Sequence, residues 1–158
     1  MAIRTIVVAG LVAALYVVLT IGLAPLSYNV VQFRVSEALK PLALYSPVFA
    51  LAFAAGTFLS NLYSPFGVWD WGIMPLVDCI AALVCWQLRR WPVVGLFVQA
   101  VIIAAGVAIF PLGIAARLPW MLSFVYVVAP QLVLLFGGYF LIWRWYGPRL
   151  LRGPDQTV

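Results

Sequence analysis

The sequence predicts an all-α membrane protein, with six transmembrane or partial helices packed as one bundle. Three observations carry this reading. The 158 residues are 66% hydrophobic and only 8% charged, with a mean hydropathy of +1.14, which places the chain among integral membrane proteins. Four apolar runs, Thr5 to Ala24, about Val68 to Leu88, Pro92 to Phe110 and Leu118 to Tyr146, are each about long enough to cross a ~30 Å hydrocarbon layer as a helix. The basic residues are scattered between those runs instead of forming a patch, so the net charge of +5 reads as topological anchoring and not as nucleic-acid binding.

Taken in order, the first run is too long for the apolar core of a signal peptide and lacks a following small-residue cleavage site, so it is expected to stay as a helix. Ala9 and Ala13, flanked by Gly10 and Ala14, give it a smooth face that another helix or a separate membrane subunit can approach closely. The stretch Val35 to Leu62 is longer than one straight span needs. It contains Pro41 and Ser46-Pro47, and proline disfavours helix at the residue before it, so a break near Tyr45-Ser46 is expected.

Charge asymmetry decides between one helix and two. With the N-terminus inside, a single span over Val35 to Leu62 would leave Arg89, Arg90, Arg144, Arg149 and Arg152 outside, against the positive-inside rule. Two short helices, Val35 to Tyr45 and Pro47 to Leu62, make those residues and Arg4 cytoplasmic. Residues 1–148 then form a six-helix membrane domain with both chain ends in the cytoplasm, and 149–158 a polar cytoplasmic tail. As an α-helix the first of the short segments would reach only about 16 Å. Partial segments at membrane depth are tolerated where they line a wet cavity, so this one is expected to wall a cavity open to the outside. The outer loops on this topology are Pro25 to Arg34, Tyr63 to Asp70 and Pro111 to Leu118.

The chain has no histidine and only four acidic residues, which removes most routes to acid-base or metal-assisted catalysis. Cys79 and Cys85 fall on different sides of a helix and match no metal pattern, so they read as apolar packing. No glycine-rich phosphate loop is present, so the chain cannot itself hydrolyse ATP. No enzyme, cofactor or metal is expected.

What polar chemistry there is gathers near the outer loops. Arg34, Glu37 and Lys40 recur at i, i+3 and i+6, on one side of a helix. A charge at membrane depth costs roughly 2.5–3.5 kcal/mol on insertion scales, so it is usually kept for a partner, a substrate or an ion. The bland reading is an ion pair with a spare cation snorkelling to the headgroups. Gln32 precedes this group. Asn61 and Asp70 bracket a Ser-Pro-Phe-Gly turn, and Asp70 lies between Trp69 and Trp71, a good setting for a flat hydrogen-bonding ligand or an ordinary aromatic belt. Asp78 is about two turns deeper on a similar face. Gln131, after Pro130, can bridge helices or touch a ligand. Arg117, beside Pro119 and Trp120, reads as an anchor.

Two of these motifs, Gln-Phe-Arg-Val-Ser-Glu-Ala-Leu (Gln32 to Leu39) and Asn-Leu-Tyr-Ser-Pro-Phe-Gly-Val-Trp-Asp (Asn61 to Asp70), resemble the QueT family of substrate-binding S components of energy-coupling factor (ECF) transporters. The likeness runs over roughly Ile6 to Trp145. It implies a six-helix protein of a prokaryotic plasma membrane that binds a queuosine precursor, a cyano- or aminomethyl-deazaguanine base, at the extracellular face. It also implies docking on a transmembrane T component with two ATPases, through a surface that the Ala9-xxx-Ala13 face resembles. The donors of such a base would go to Glu37 or Asp70, its carbonyl to Arg34 or Asn61, and stacking to Trp69, Trp71, Phe33 or Tyr63. Where the family implies an acidic residue near the start of the last helix, this chain has Ala129-Pro130-Gln131, and Lys40 is an added cation. Rival readings are an S component for another vitamin-like heterocycle and a structural or regulatory membrane subunit.

Overall fold

A computed structural model describes residues 3–29 and 33–151. Helix α1 (Ile3–Gly22) is the first apolar run, and α2 (Ala24–Ser27) is a single turn with Pro25 near its start, where a missing N–H is harmless. A 3-10 helix, Val35–Leu44, follows. Then come α3 (Val48–Asn61), α4 (Met74–Gln87), α5 (Pro92–Val107), α6 (Trp120–Gly138) and α7 (Arg144–Leu151). A π-helical stretch at Trp69–Ile73 leads into α4, one at Ala108–Ala115 prolongs α5, and one at Tyr139–Trp143 joins α6 to α7. Four continuous helices, Ile3–Gly22, Trp69–Gln87, Pro92–Ala115 and Trp120–Tyr146, are long and apolar enough to cross a membrane. The expected spans are all present, and the stretch between the first two splits near Pro47 as its prolines predict. The last helix runs to Leu151.

The first short segment is a 3-10 helix where an α-helix was expected. In an α-helix the Pro41 ring would clash with the carbonyl four residues back, that of Glu37. Winding at three residues per turn and about 2.0 Å per residue, the ten residues of Val35–Leu44 reach about 20 Å, further than the α-helical estimate. They also stack side chains at i, i+3 and i+6 in one line.

This segment runs through the middle of the bundle. Consecutive helices pack side by side, α1 on α3, α3 on α4, α4 on α5 and α5 on α6, while the 3-10 helix packs on α6, α1, α4 and α3. Almost every residue of it is buried, Glu37 and Lys40 included. One core gathers around Tyr16, Leu42, Phe49, Phe53 and Leu135, the other around Met74, Ile103, Val107, Leu112 and Val127. Apolar side chains such as Leu11, Val18, Leu76, Val133 and Leu141 face outward, as a lipid-facing surface requires.

Three contacts pin the 3-10 helix and its C-cap Tyr45 to the end of α6 and the π-helical stretch that follows it. The Trp143 indole N–H donates to the Ala38 carbonyl at 2.5 Å, and the Tyr45 hydroxyl donates to the Trp143 carbonyl at 2.7 Å. Gly138 lies against Ala38 so closely that a Cβ there would overlap the Ala38 carbonyl and lie 3.0 Å from its Cα. Gly67 serves the other end: its φ of +61° closes the turn before Trp69, a conformation that side chains other than glycine rarely adopt.

Candidate functional site

The 3-10 winding places Arg34, at its N-cap, and then Glu37 and Lys40 one and two turns on, in register along one wall. All three turn inward. Arg34 sits at the Asp70 end of the bundle. Its Nε donates to the Ser27 carbonyl at 3.2 Å and its Nη2 to Asp70 Oδ2 at 3.3 Å, and the guanidinium is 5.4 Å from the centroid of the Tyr28 ring. Asn61, at the end of α3, donates from Nδ2 to Asp70 Oδ1 at 2.9 Å and to the Asp70 carbonyl at 3.1 Å. Burial raises the Tyr28 phenol above its usual pKa, so it stays a donor, and it gives its proton to the Ser60 carbonyl at 2.7 Å.

Deeper in, Glu37 is the hub. Its Oε1 accepts from the Tyr16 hydroxyl at 2.5 Å, and its Oε2 accepts from Gln131 Nε2 at 2.5 Å and from Lys40 Nζ at 2.7 Å. Lys40 Nζ also donates to Asp78 Oδ1 at 2.7 Å. The other Asp78 oxygen accepts a short hydrogen bond from the Thr57 hydroxyl. α1, the 3-10 helix, α3, α4 and α6 therefore each contribute one or more members of a single network. Lys40 is 1% exposed, so it is not a spare cation snorkelling to the headgroups. A buried pair of this kind is weak evidence for stability, because desolvation offsets much of the attraction, and its retention suits a binding role.

Arg34, Glu37, Lys40, Asp78 and Gln131 line one small cavity, closed by Met74, Ile103, Val107 and Val127. Its volume is about 10 Å³, in a measure where one water needs roughly 10–15 Å³. A ring-sized ligand can enter only if an ion pair parts or helices separate. A larger concavity of about 200 Å³ between α5 and α6, with Ala108, Trp120 and Phe124 in its wall, has no polar lining and so offers nothing for hydrogen-bonded recognition.

The structure thus brings five of the sequence-derived candidates to the cavity. Asn61 and Asp70 stand behind Arg34 and hold it but are not in the lining. Trp69 is half-buried and stacks on Phe110, ring centroids 6.3 Å apart, while Trp71, Tyr63 and Phe33 are exposed. None of the four rings expected to stack on a ligand lines the cavity. Gln32 lies outside the described residues. On α1, Ala9 is 4% exposed and packs in the core, and Ala13 packs against that core. Ala9 is therefore not available to a partner, and Gly10 and Ala14, both exposed, form the small-residue edge that is.

Sequence reasoning missed Tyr16 and Thr57, although a tyrosine in mid-run, far from either membrane boundary, was a signal. It also missed Gln99. This side chain, on α5 one turn before Ile103, is 0% exposed, and both of its amide atoms lack a hydrogen-bond partner among the described residues. Leaving such a group unpaired costs about 1–3 kcal/mol. Gln99→Leu, close in volume, is expected to raise the melting temperature in detergent by roughly 2–4 °C per kcal/mol recovered; a lower melting temperature would show that the amide has a partner worth keeping.

The family described as "QueT: QueT transporter" matches residues 6–146. A curated relative, "Queuosine precursor transporter QueT" of Lactococcus lactis subsp. cremoris (strain MG1363), is 44% identical over 61 residues, a stretch that is 37% of this chain and 36% of that protein. The chain thus aligns with little more than a third of that relative's length. No solved structure matches.

Proposed function

Because this chain belongs to the QueT transporter family, we propose that it is the substrate-specific S component of an ECF-type importer and binds a queuosine precursor, a deazaguanine base. It captures the base at the extracellular face, with both termini in the cytoplasm, and a T component with two ATPases drives uptake. The observation that carries this reading is Glu37: a carboxylate 2% exposed, at the centre of a polar cavity in an otherwise apolar bundle. A guanine-like edge offers a ring N–H and an exocyclic amine side by side, which one carboxylate accepts as a pair. Arg34 and Gln131 supply donors for the ring carbonyl. The cavity must widen to take the base, and the ligand's own donors would replace those of Tyr16, Gln131 or Lys40 on Glu37.

Isothermal titration of the purified chain in detergent with the cyano- and aminomethyl-deazaguanine bases, and guanine as control, tests this. Binding at micromolar Kd or tighter is the expected result. No measurable binding of either deazaguanine would overturn the reading and leave another heterocycle or a structural subunit.

A further inference from the structure

The buried cluster holds three carboxylates, Glu37, Asp70 and Asp78, and two cations, Arg34 and Lys40. Every other arginine with a described side chain is exposed, so among the described residues no further positive side chain balances it. Arg34 pairs with Asp70. Lys40 alone serves both Glu37 and Asp78, at 2.7 Å from each. Glu37 and Asp70 sit in the first turns of their helices, where backbone N–H groups favour a negative charge. Asp78 is in the body of α4 and has no such help. An independent observation has the same sense. At the Arg34–Asp70 end, Asn61 Oδ1, buried next to Asp70 but outside the cavity lining, accepts no hydrogen bond among the described residues, so an acceptor is left over there too.

We infer that this cluster is one positive charge short and is completed by a monocation, a proton in the resting protein and the ammonium group of a cationic planar base on binding. The inference rests on the proposed function and refines it, selecting the aminomethyl over the cyano base. An uncompensated charge in a low-dielectric site is costly, whereas an incoming ammonium satisfies it and displaces the proton. The titratable and charged groups facing Glu37 and Asp78 are Tyr16, Arg34 and Lys40, with Thr57 and Gln131 as uncharged hydrogen-bond partners.

Titrating the full chain in detergent with each base at pH 6, in two buffers of different ionisation enthalpy, tests it. The aminomethyl base should bind about tenfold tighter or more than the cyano base, release a fraction of a proton, and gain affinity between pH 5 and 7. In Asp78→Asn both the preference and the proton release should vanish. Equal or tighter binding of the cyano base, or a preference that survives Asp78→Asn with no proton released, overturns the inference and leaves the function standing. If that variant does not fold, proton release by the wild-type chain decides.

If neither base binds, the proposed function fails and thermal unfolding judges the charge count. The chain has no histidine, so apart from the terminal amine, titration between pH 5 and 7 must come from perturbed carboxylates. The folded cluster keeps a proton that the unfolded chain has lost, so stability should fall as pH rises from about 4 and level off once the cluster is deprotonated. A melting temperature flat from pH 5 to 7 overturns the inference; a fall that Asp78→Asn removes supports it.

Discussion

Gly138→Ala is expected to lower the melting temperature of the purified protein by roughly 2–12 °C and to weaken ligand binding with it. The clash is with backbone. A Cβ at Gly138 would overlap the Ala38 carbonyl and lie 3.0 Å from its Cα, and neither atom can rotate away as a side chain would. Overpacking of this kind costs about 1–3 kcal/mol, which for a chain of this size corresponds to the stated shift. The effect on binding follows from the position of Ala38, next to Glu37 and two residues before Lys40. Moving it shifts both charged side chains and loosens the hydrogen bond from Trp143 to the Ala38 carbonyl. Gly137→Ala is the control, because a Cβ at Gly137 meets nothing within 4 Å, and it should leave stability and binding unchanged. An alanine at 138 that melts and binds like wild type would show that α6 and the 3-10 helix are not so closely packed.

The same contact shows where sequence reading reached its limit. Composition and apolar run length located the four spans, since crossing a bilayer demands length and hydrophobicity that can be counted. The prolines at 41 and 47 located the break between the short segments, yet the winding of the first was missed. An i, i+3, i+6 spacing fits both an α-helix and a 3-10 helix, and only the Pro41 ring facing the Glu37 carbonyl separates them. Arg34, Glu37, Lys40, Asp78 and Gln131 were legible because polar groups in an apolar chain stand out. Their partners were not. Met74, Ile103, Val107 and Val127 line the cavity from runs with little hydrophobic periodicity, where a buried polar residue in each, Asp78, Gln99 and Gln131, is the mark of the inner side. Ring stacking was assigned to Trp69, Trp71, Tyr63 and Phe33 by proximity in sequence to charged motifs, whereas Tyr16, from another helix, is the aromatic that touches Glu37.

Glu37→Gln is expected to weaken binding of both deazaguanine bases by about 10- to 100-fold, the range of one lost charge-assisted hydrogen bond of about 1.5–3 kcal/mol. The variant should still fold. Its amide oxygen can accept from Lys40 and Gln131 while its NH₂ donates to the Tyr16 oxygen, so only the Tyr16 proton, which now goes to Glu37, has to find a new acceptor. What is lost is the ability to accept two donors from a guanine-like edge with one charged group. Since that edge is common to both bases, both affinities should fall, the aminomethyl base's further because the surplus negative charge beside Lys40 goes with Glu37, whereas Asp78→Asn should weaken the aminomethyl base more than the cyano base. A double-mutant cycle of Glu37→Gln with Gln131→Leu extends the comparison. Gln131 donates to Glu37 at 2.5 Å, so the two substitutions should be strongly non-additive. Additive effects on affinity would mean that they meet the ligand separately, and undiminished binding by Glu37→Gln would remove Glu37 from the site.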